Sequence, residues 1–240
     1  MKAMVLAAGL GTRLGEPGKR TPKCLFEAGG RTLLEHVLES LQRAGVNFVL
    51  INTHHLAEKV RAFVSSHSFA GLEIELSHEP EILGTGGGLK NAERFFAGTG
   101  GFLVHNADVY CEYDLKNLVE VHQASGALAS LLVKDGSGEK ALLIDSSSRL
   151  VGWIGEEGEK RAAATTDELR RVDLCGVHAV STRIFDFMRE EQGSFSIIRS
   201  YMNAVQAGCV IKTVKVGDSF WIDAGTPQAL EKLRARLKNR

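Results

Sequence analysis

An apolar run from Ala3 to Ala8 leads into Gly9-Leu10-Gly11-Thr12-Arg13, and Lys23, in Thr21-Pro22-Lys23, lies ten residues beyond Arg13. Glycines at the end of an extended strand leave backbone N–H groups bare and let an anion approach closely, because glycine has no Cβ and tolerates positive φ. Arg13 adds a planar fork matched to phosphate oxygens, and Lys23 adds a compact point charge. Bare amides with two fixed cations suit a nucleoside triphosphate. Taken alone, the Gly-x-Gly pair also describes a tight strand-to-loop turn, and Lys23 a solvated surface lysine. The combination is what points to phosphate.

Spacing excludes the two common nucleotide motifs. A dinucleotide fingerprint needs a third glycine three residues after Gly11, where Leu14 stands, followed by the helix-hostile Gly15-Glu16-Pro17-Gly18. A Walker loop needs Gly-Lys-Ser/Thr after a four-residue gap, which is absent as well. Two carboxylates stand out instead. Asp108 follows the apolar Phe102–His105, and Asp223 follows Phe220-Trp221-Ile222. Open α/β sheets place ligands at the carboxyl ends of their strands. Two aspartates brought there from distant strands could hold Mg²⁺, a hard cation that takes oxygen ligands and keeps water beside substrate phosphates. Each taken singly also reads as a helix cap or turn residue.

Leu6-Ala7-Ala8-Gly9-Leu10-Gly11-Thr12-Arg13-Leu14, then Thr21-Pro22-Lys23, Leu83-Gly84-Thr85-Gly86-Gly87-Gly88, His105-Asn106-Ala107-Asp108, Cys175-Gly176-Val177-His178 and Trp221-Ile222-Asp223-Ala224-Gly225-Thr226-Pro227 occur in that order. In these segments the chain closely resembles the sugar-phosphate nucleotidyltransferases. The resemblance implies a Rossmann-like, three-layer α/β/α fold with a mixed, mostly parallel sheet. It also implies attack of a sugar 1-phosphate oxygen on the α-phosphorus of an NTP, expelling pyrophosphate. No general base is needed, because a phosphate monoester with its second pKa near ~6 is already an anion at neutral pH. The task is to bring several negative phosphates together, which calls for Arg, Lys, backbone amides and a divalent cation.

By the same resemblance, Ala7, Ala8, Gly9, Gly11 and Thr12 line the nucleotide and Arg13 holds its β and γ phosphates. Lys23 sits between the α-phosphate and the incoming sugar phosphate, and Asp108 and Asp223 hold Mg²⁺. Gly84, Thr85, Gly86 and Gly87 form the base-contacting loop. Asn106 and Gly176 contact the sugar, and Glu156, in Glu156-Glu157-Gly158, stands where relatives carry a sugar-binding Glu-Lys-Pro. Two departures are visible. Gly15-Glu16-Pro17-Gly18 replaces the family's Arg-Pro-Leu-Thr, and Asn106-Ala107-Asp108 replaces Asn-Gly-Asp. The resemblance extends both to guanylyltransferases for mannose or heptose 1-phosphate and to N-acetylmuramate 1-phosphate uridylyltransferases, so the base stays open. A cytidylyltransferase for a small non-sugar phosphate such as phosphocholine and a non-catalytic nucleotide-sugar-sensing subunit are alternatives. The Trp221–Pro227 and Gly176 segments speak against the first, and intact Arg13, Lys23, Asp108 and Asp223 against the second. A metal-dependent glycosyltransferase would want Asp-x-Asp, where Asn106 stands first.

Positioning these residues requires strands alternating with helices. Strands are expected over Lys2–Ala8, Phe48–Asn52, Leu72–Leu76, Phe102–His105, Leu128–Val133, Leu174–Val180 and Val210–Val216. Leu33, Leu34, Val37, Leu38 and Leu41 mark one helical face closed by Gly45, and further helices are expected over Leu56–Val64, Leu89–Phe96, Leu115–Gln123, Phe185–Arg189, Ile197–Ala207 and from Pro227. Ala141–Ile144 and Leu150–Ile154 read as a β-hairpin, and Gly155–Thr166 as a polar, mobile loop and candidate lid. Glu79 and Glu81, just before the Leu83–Gly88 loop, are candidates for base or sugar contact, with surface solvation the better reading.

At 240 residues the chain suits one nucleotidyltransferase domain over 1–240. Its 29 Lys+Arg balance 29 Asp+Glu, so no global basic field favours nucleic acid. Four scattered cysteines make no Cys-x-x-Cys pair and fit free thiols. His54-His55 are adjacent and share no helical face, and His178 falls in a strand pattern, so no histidine is assigned to metal. The N-terminal apolar run is too short and wrongly flanked to read as a secretory signal, and neither a spanning stretch nor a hexapeptide repeat is expected. The expectation is a cytoplasmic monomer or small homo-oligomer, away from membranes, whose partners are an NTP and a sugar 1-phosphate.

Overall fold

The expected alternation is present in the computed structural model, which describes residues 1–136, 139–156 and 158–238. In chain order the elements are β1 (Lys2–Leu6), α1 (Glu16–Arg20), β2 (Glu27–Ala28), β3 (Arg31–Thr32), α2 (Leu33–Arg43), β4 (Phe48–Thr53), α3 (Ala57–Ser66), β5 (Glu73–His78), α4 (Gly84–Asn91), α5 (Glu93–Phe96) and β6 (Gly101–Asn106). There follow β7 (Val109–Cys111), α6 (Leu115–Ser125), β8 (Ala129–Asp135), β9 (Ala141–Ile144), β10 (Leu150–Gly155), β11 (Gly158–Arg161), β12 (Arg170–Ser181), α7 (Ile197–Gln206), β13 (Ile211–Lys215), β14 (Trp221–Asp223) and α8 (Pro227–Lys238). Met1–Ile82, Val104–Lys116 and the chain from Ser219 form one unit, and Leu83–Leu103 with Asn117–Asp218 form a second.

In the first unit β1, β4 and β5 run parallel, with Leu6 opposite Asn52 and Asn52 opposite Ser77, so their carboxyl ends lie level. Parallel neighbours need a crossover, and α2 and α3 supply it. Thr32 and Glu35 close a capping box at the start of α2, whose buried stripe is Leu33, Leu34, Val37, Leu38 and Leu41. Gly45 stops that segment with φ of 84°. A separate ribbon, β7 antiparallel to β14, sets Asp223 opposite Val109. Ile222, Ala224, Leu230 and Leu233 pack with Ala28 and Leu33, which anchors β14 and α8.

In the second unit β8 pairs antiparallel with β12 and parallel with β13, and β12, β9, β10 and β11 continue as an antiparallel run. Strand pairing is therefore mixed: parallel among β1, β4 and β5 of the first unit and largely antiparallel in the second. The β9–β10 hairpin is fixed by the buried Asp145 carboxylate, which accepts from the Ser147 and Arg149 amides at 3.0 and 2.8 Å and from Arg149 Nε at 2.7 Å.

Several expectations need correction. The first strand ends at Leu6, two residues early. Gly15-Glu16-Pro17-Gly18 opens a short helix, α1, because proline is tolerated in a first turn, where no donor is required. The helix expected over Leu89–Phe96 begins five residues earlier, at Gly84, and is interrupted at Ala92. Phe185–Arg189 is not a regular helix; a 3-10 helix covers Thr182–Phe187 instead. The Gly155–Thr166 segment is not all loop, since β11 pairs with β10 from Gly155↔Gly158 to Gly152↔Arg161. Glu157 of that segment lies outside the described residues.

Candidate active site

The Gly9–Arg13 segment leaves β1 and turns at Gly11, whose φ of 67° is left-handed and therefore wants glycine. A 3-10 helix over Thr12–Leu14 follows, with Leu14 buried beneath it. Gly18 of α1 packs directly under this turn. A Cβ there would collide with the Gly11 carbonyl oxygen and come within 3.2 Å of Leu14 Cβ. Pro22 then starts a second 3-10 turn, Lys23–Leu25, pinned by the buried Cys24, whose thiol burial pushes up to about 12. Leu6, Ala7, Gly9, Gly11, Thr12, Arg13, Lys23, Asp108 and Gly225 are among the residues lining a cavity of about 280 Å³.

Four charged side chains converge here, three of them, Arg13, Lys23 and Asp108, lining that cavity. The Lys23 ammonium contacts Asp108 Oδ2 and lies 3.7 Å from Asp223 Oδ1, while Arg13 NH2 is 3.4 Å from Asp223 Oδ2. The backbone makes this possible: the Ala224 amide donates to the Asp108 carbonyl at 2.8 Å, and the Gly225 amide donates to Asp223 Oδ1 at 2.7 Å. Lys23 and Asp108 are 14% and 18% exposed, whereas Arg13 is 58% exposed and free to follow a ligand. Burial lowers the Lys23 pKa; the Asp223 carboxylate opposes that shift and the Arg13 guanidinium adds to it. Arg13, Lys23, Asp108 and Asp223 are thus brought together as the sequence motifs imply. Asn106, half-buried, ends β6 two residues before Asp108.

Asp108 and Asp223 turn carboxylate oxygens toward one ammonium, and the missing Cβ of Gly225 makes room for the ends of Lys23, Asp223 and Arg13. Such a pair fits Mg²⁺, which commonly binds through one or two carboxylates and completes its octahedron with phosphate oxygens and water. Among the described residues no trio of His, Cys, Asp or Glu gathers to cage a metal, so the remaining ligands would come from substrate and solvent.

The other implied residues lie in the second unit. Gly84 opens α4 with φ of 68°. The Gly86 and Gly87 amides both donate to the Phe195 carbonyl, at 2.9 and 3.4 Å, and Thr85 Oγ1 accepts from the Ile197 amide at 2.9 Å. A Cβ at Gly86 would strike the Phe195 ring, and one at Gly87 would lie 2.8 Å from the Gly193 carbonyl. Packing of α4 on the 193–197 segment accounts for these two glycines. Gly176, with φ of 72°, falls where the β12–β8 register shifts between Leu174 and His178. Glu156 is exposed, accepts from Lys140 Nζ at 2.6 Å, and lines a cleft against α7 that does not include Gly176.

Two residues of the first unit were not anticipated. Glu79, expected on the surface, is buried and accepts from Asn52 Nδ2 at 2.7 Å, and Asn52 Oδ1 accepts from the Ala7 amide at 2.7 Å. The one signal in the sequence was a polar residue, Asn52, closing an apolar strand.

Comparison with known proteins identifies the family and the fold. The family model described as Nucleotidyl transferase matches residues 2–141. The mannose-1-phosphate guanyltransferase of Aspergillus oryzae is 37% identical over 135 residues, which is 55% of this chain and 37% of that protein. The chain thus spans little more than a third of the length of that curated relative. Among solved structures, the UDP-glucose pyrophosphorylase from Acinetobacter baumannii aligns with a TM-score of 0.78 at 16% identity, over 98% of this chain and 92% of that one. HddC from Yersinia pseudotuberculosis aligns with a TM-score of 0.76 at 22% identity, over 98% of each chain. At such identities the likeness establishes the Rossmann-like fold.

Proposed function

Since the chain belongs to the nucleotidyl transferase family, we propose that it acts as one nucleotidyltransferase domain joining a sugar 1-phosphate to an NTP, with release of pyrophosphate. In this reaction an oxygen of the sugar phosphate forms a bond to the α-phosphorus. The bond from that phosphorus to the oxygen bridging to the β-phosphate breaks, and pyrophosphate leaves with the electron pair. No proton has to move. The observation that carries the reading is the convergence of Arg13, Lys23, Asp108 and Asp223, the first three of which line the glycine-turn cavity.

In this reading the Gly9–Thr12 backbone and Arg13 bind the β and γ phosphates. Lys23, set between two carboxylates, exchanges them for phosphate oxygens and draws the two substrates together. Asp108 and Asp223 would hold Mg²⁺, which when bound offsets phosphate charge and polarises the α-phosphoryl group. Ala7 and Ala8 border the nucleotide, and Gly84 and Thr85 with the start of α4 offer backbone to the base. Gly86 and Gly87 contribute through packing, and Asn106, Gly176 and Glu156 are the sugar-side candidates.

The name of the Aspergillus relative favours guanylyl transfer to a mannose-type sugar phosphate. Pyrophosphate release should be measured for four NTPs against mannose, heptose and N-acetylmuramate 1-phosphates. Release dominated by GTP supports this assignment, and release dominated by UTP with N-acetylmuramate 1-phosphate replaces it with the uridylyl one. No release from any pair overturns the reading.

A further inference from the structure

The parallel ends of β1, β4 and β5 are tied side to side by one buried amide. Backbone pairing of β1 with β4 stops at Leu6↔Asn52, which leaves the Ala7 N–H, two residues ahead of Gly9, without a strand partner on that side. Asn52 Oδ1 accepts it at 2.7 Å. Because the Ala7 amide can only donate, this contact fixes which end of the Asn52 side chain carries oxygen, and Nδ2 is turned to Glu79 Oε1, also at 2.7 Å. Glu79 is itself held by its backbone, its amide donating to the Thr53 carbonyl at 2.8 Å and its carbonyl accepting from His54 Nδ1 at 2.8 Å. Asn52 and Glu79 are 2% and 1% exposed.

We propose that Asn52 and Glu79 are positioning residues that set the glycine turn for the nucleotide's phosphates, acting through the Ala7 peptide. The physical reason is register. A bond to a carboxylate is stronger and shorter than one between neutral groups, so the pair holds the Ala7 plane, from which Gly9, Gly11 and Arg13 take their direction. Neither residue belongs to the Lys23–Asp108–Asp223 cluster, so loosening them should weaken triphosphate binding and leave the sugar-phosphate side unaffected. The inference rests on the proposed reaction only in naming the triphosphate as occupant.

A charge-swap series tests it. Asn52→Asp keeps an acceptor for Ala7 but sets a second oxygen against the Glu79 carboxylate. Adding Glu79→Gln restores the bond with its polarity reversed, Gln Nε2 donating to the new carboxylate. The expected result is a KM for NTP, and a Kd for inorganic triphosphate, raised about tenfold or more in Asn52→Asp. The KM for sugar 1-phosphate should stay near wild type, and Asn52→Asp/Glu79→Gln should recover most of the loss. If the wild type turns over, an unchanged NTP KM in Asn52→Asp would overturn the inference while sparing the reaction. A wild type that releases no pyrophosphate would overturn the reaction instead, and the triphosphate Kd would still decide the inference, unchanged affinity sinking it. If Asn52→Asp fails to fold, a folded, triphosphate-binding double variant supports the proposal, and a double variant as defective as the single overturns it.

Discussion

A Cβ placed at Gly225 would lie 2.6 Å from Asp223 Oδ1 and 2.7 Å from Arg13 NH2, and would overlap the Lys23 ammonium. The φ of Gly225 is not positive, so space rather than backbone conformation demands glycine there. The atoms it would strike are the far ends of side chains, which can shift without unfolding the chain. Gly225→Ala should therefore melt near the wild-type temperature yet lose about 100-fold in kcat, the scale of a misplaced catalytic geometry. Wild-type turnover in this variant would mean the cluster does not need its observed spacing. Lys23→Ala and Asp108→Asn should each lower kcat by at least ~100-fold, as when one transition-state electrostatic partner is removed. A variant folded by circular dichroism that kept a third of wild-type turnover would clear its residue of that role. These side chains stood out in the sequence because charge and glycine spacing are local. Glu79 did not, because its burial depends on β4 lying beside β5, a pairing between separate stretches of chain.

The strands and longer helices followed from periodicity, since a two-residue or 3.6-residue repeat is written within each segment. What periodicity could not show was pairing. β11 is exposed along its length and carries no alternation, so only its partner β10 reveals it as a strand. Helix α4 was similarly hidden, because Gly84-Thr85-Gly86-Gly87-Gly88 has poor helix propensity and is held helical by packing on Phe195 and Ile197. That account makes Gly86 a packing position. Gly86→Ala should overpack against the Phe195 ring and lower unfolding free energy by about 1–3 kcal/mol in a urea titration. A variant as stable as wild type would mean the 193–197 segment yields without cost.

No helix among the described residues is long and apolar enough to cross a membrane, and charge is balanced over the whole chain. If the metal is a substrate-bridging ion, EDTA should abolish turnover while leaving the melting temperature unchanged, because two carboxylates alone make no structural cage. A large drop in melting temperature would instead make it structural. His105 links the fold to pH in a different way. Its ring is buried, its Nδ1 donates to the Asn106 carbonyl at 2.9 Å, and burial pulls its pKa down to about 4, only partly opposed by that bond. Unfolded, the same imidazole titrates near ~6.5. Between these values the unfolded chain binds the extra proton, so stability rises with pH across the window and is lost as pH falls from about 6.5 toward 4. The whole shift corresponds to about 3 kcal/mol. The His122 pKa is lowered by burial as well and acts with the same sign, so a variant at position 105 should keep some residual slope. His105→Asn retains a side-chain donor for the carbonyl but cannot titrate. Denaturant midpoints for wild type and His105→Asn should therefore diverge between pH 4 and 7, with wild type falling more steeply on acidification. Parallel curves would mean that His105 is already protonated in the folded chain or that its site opens before it titrates.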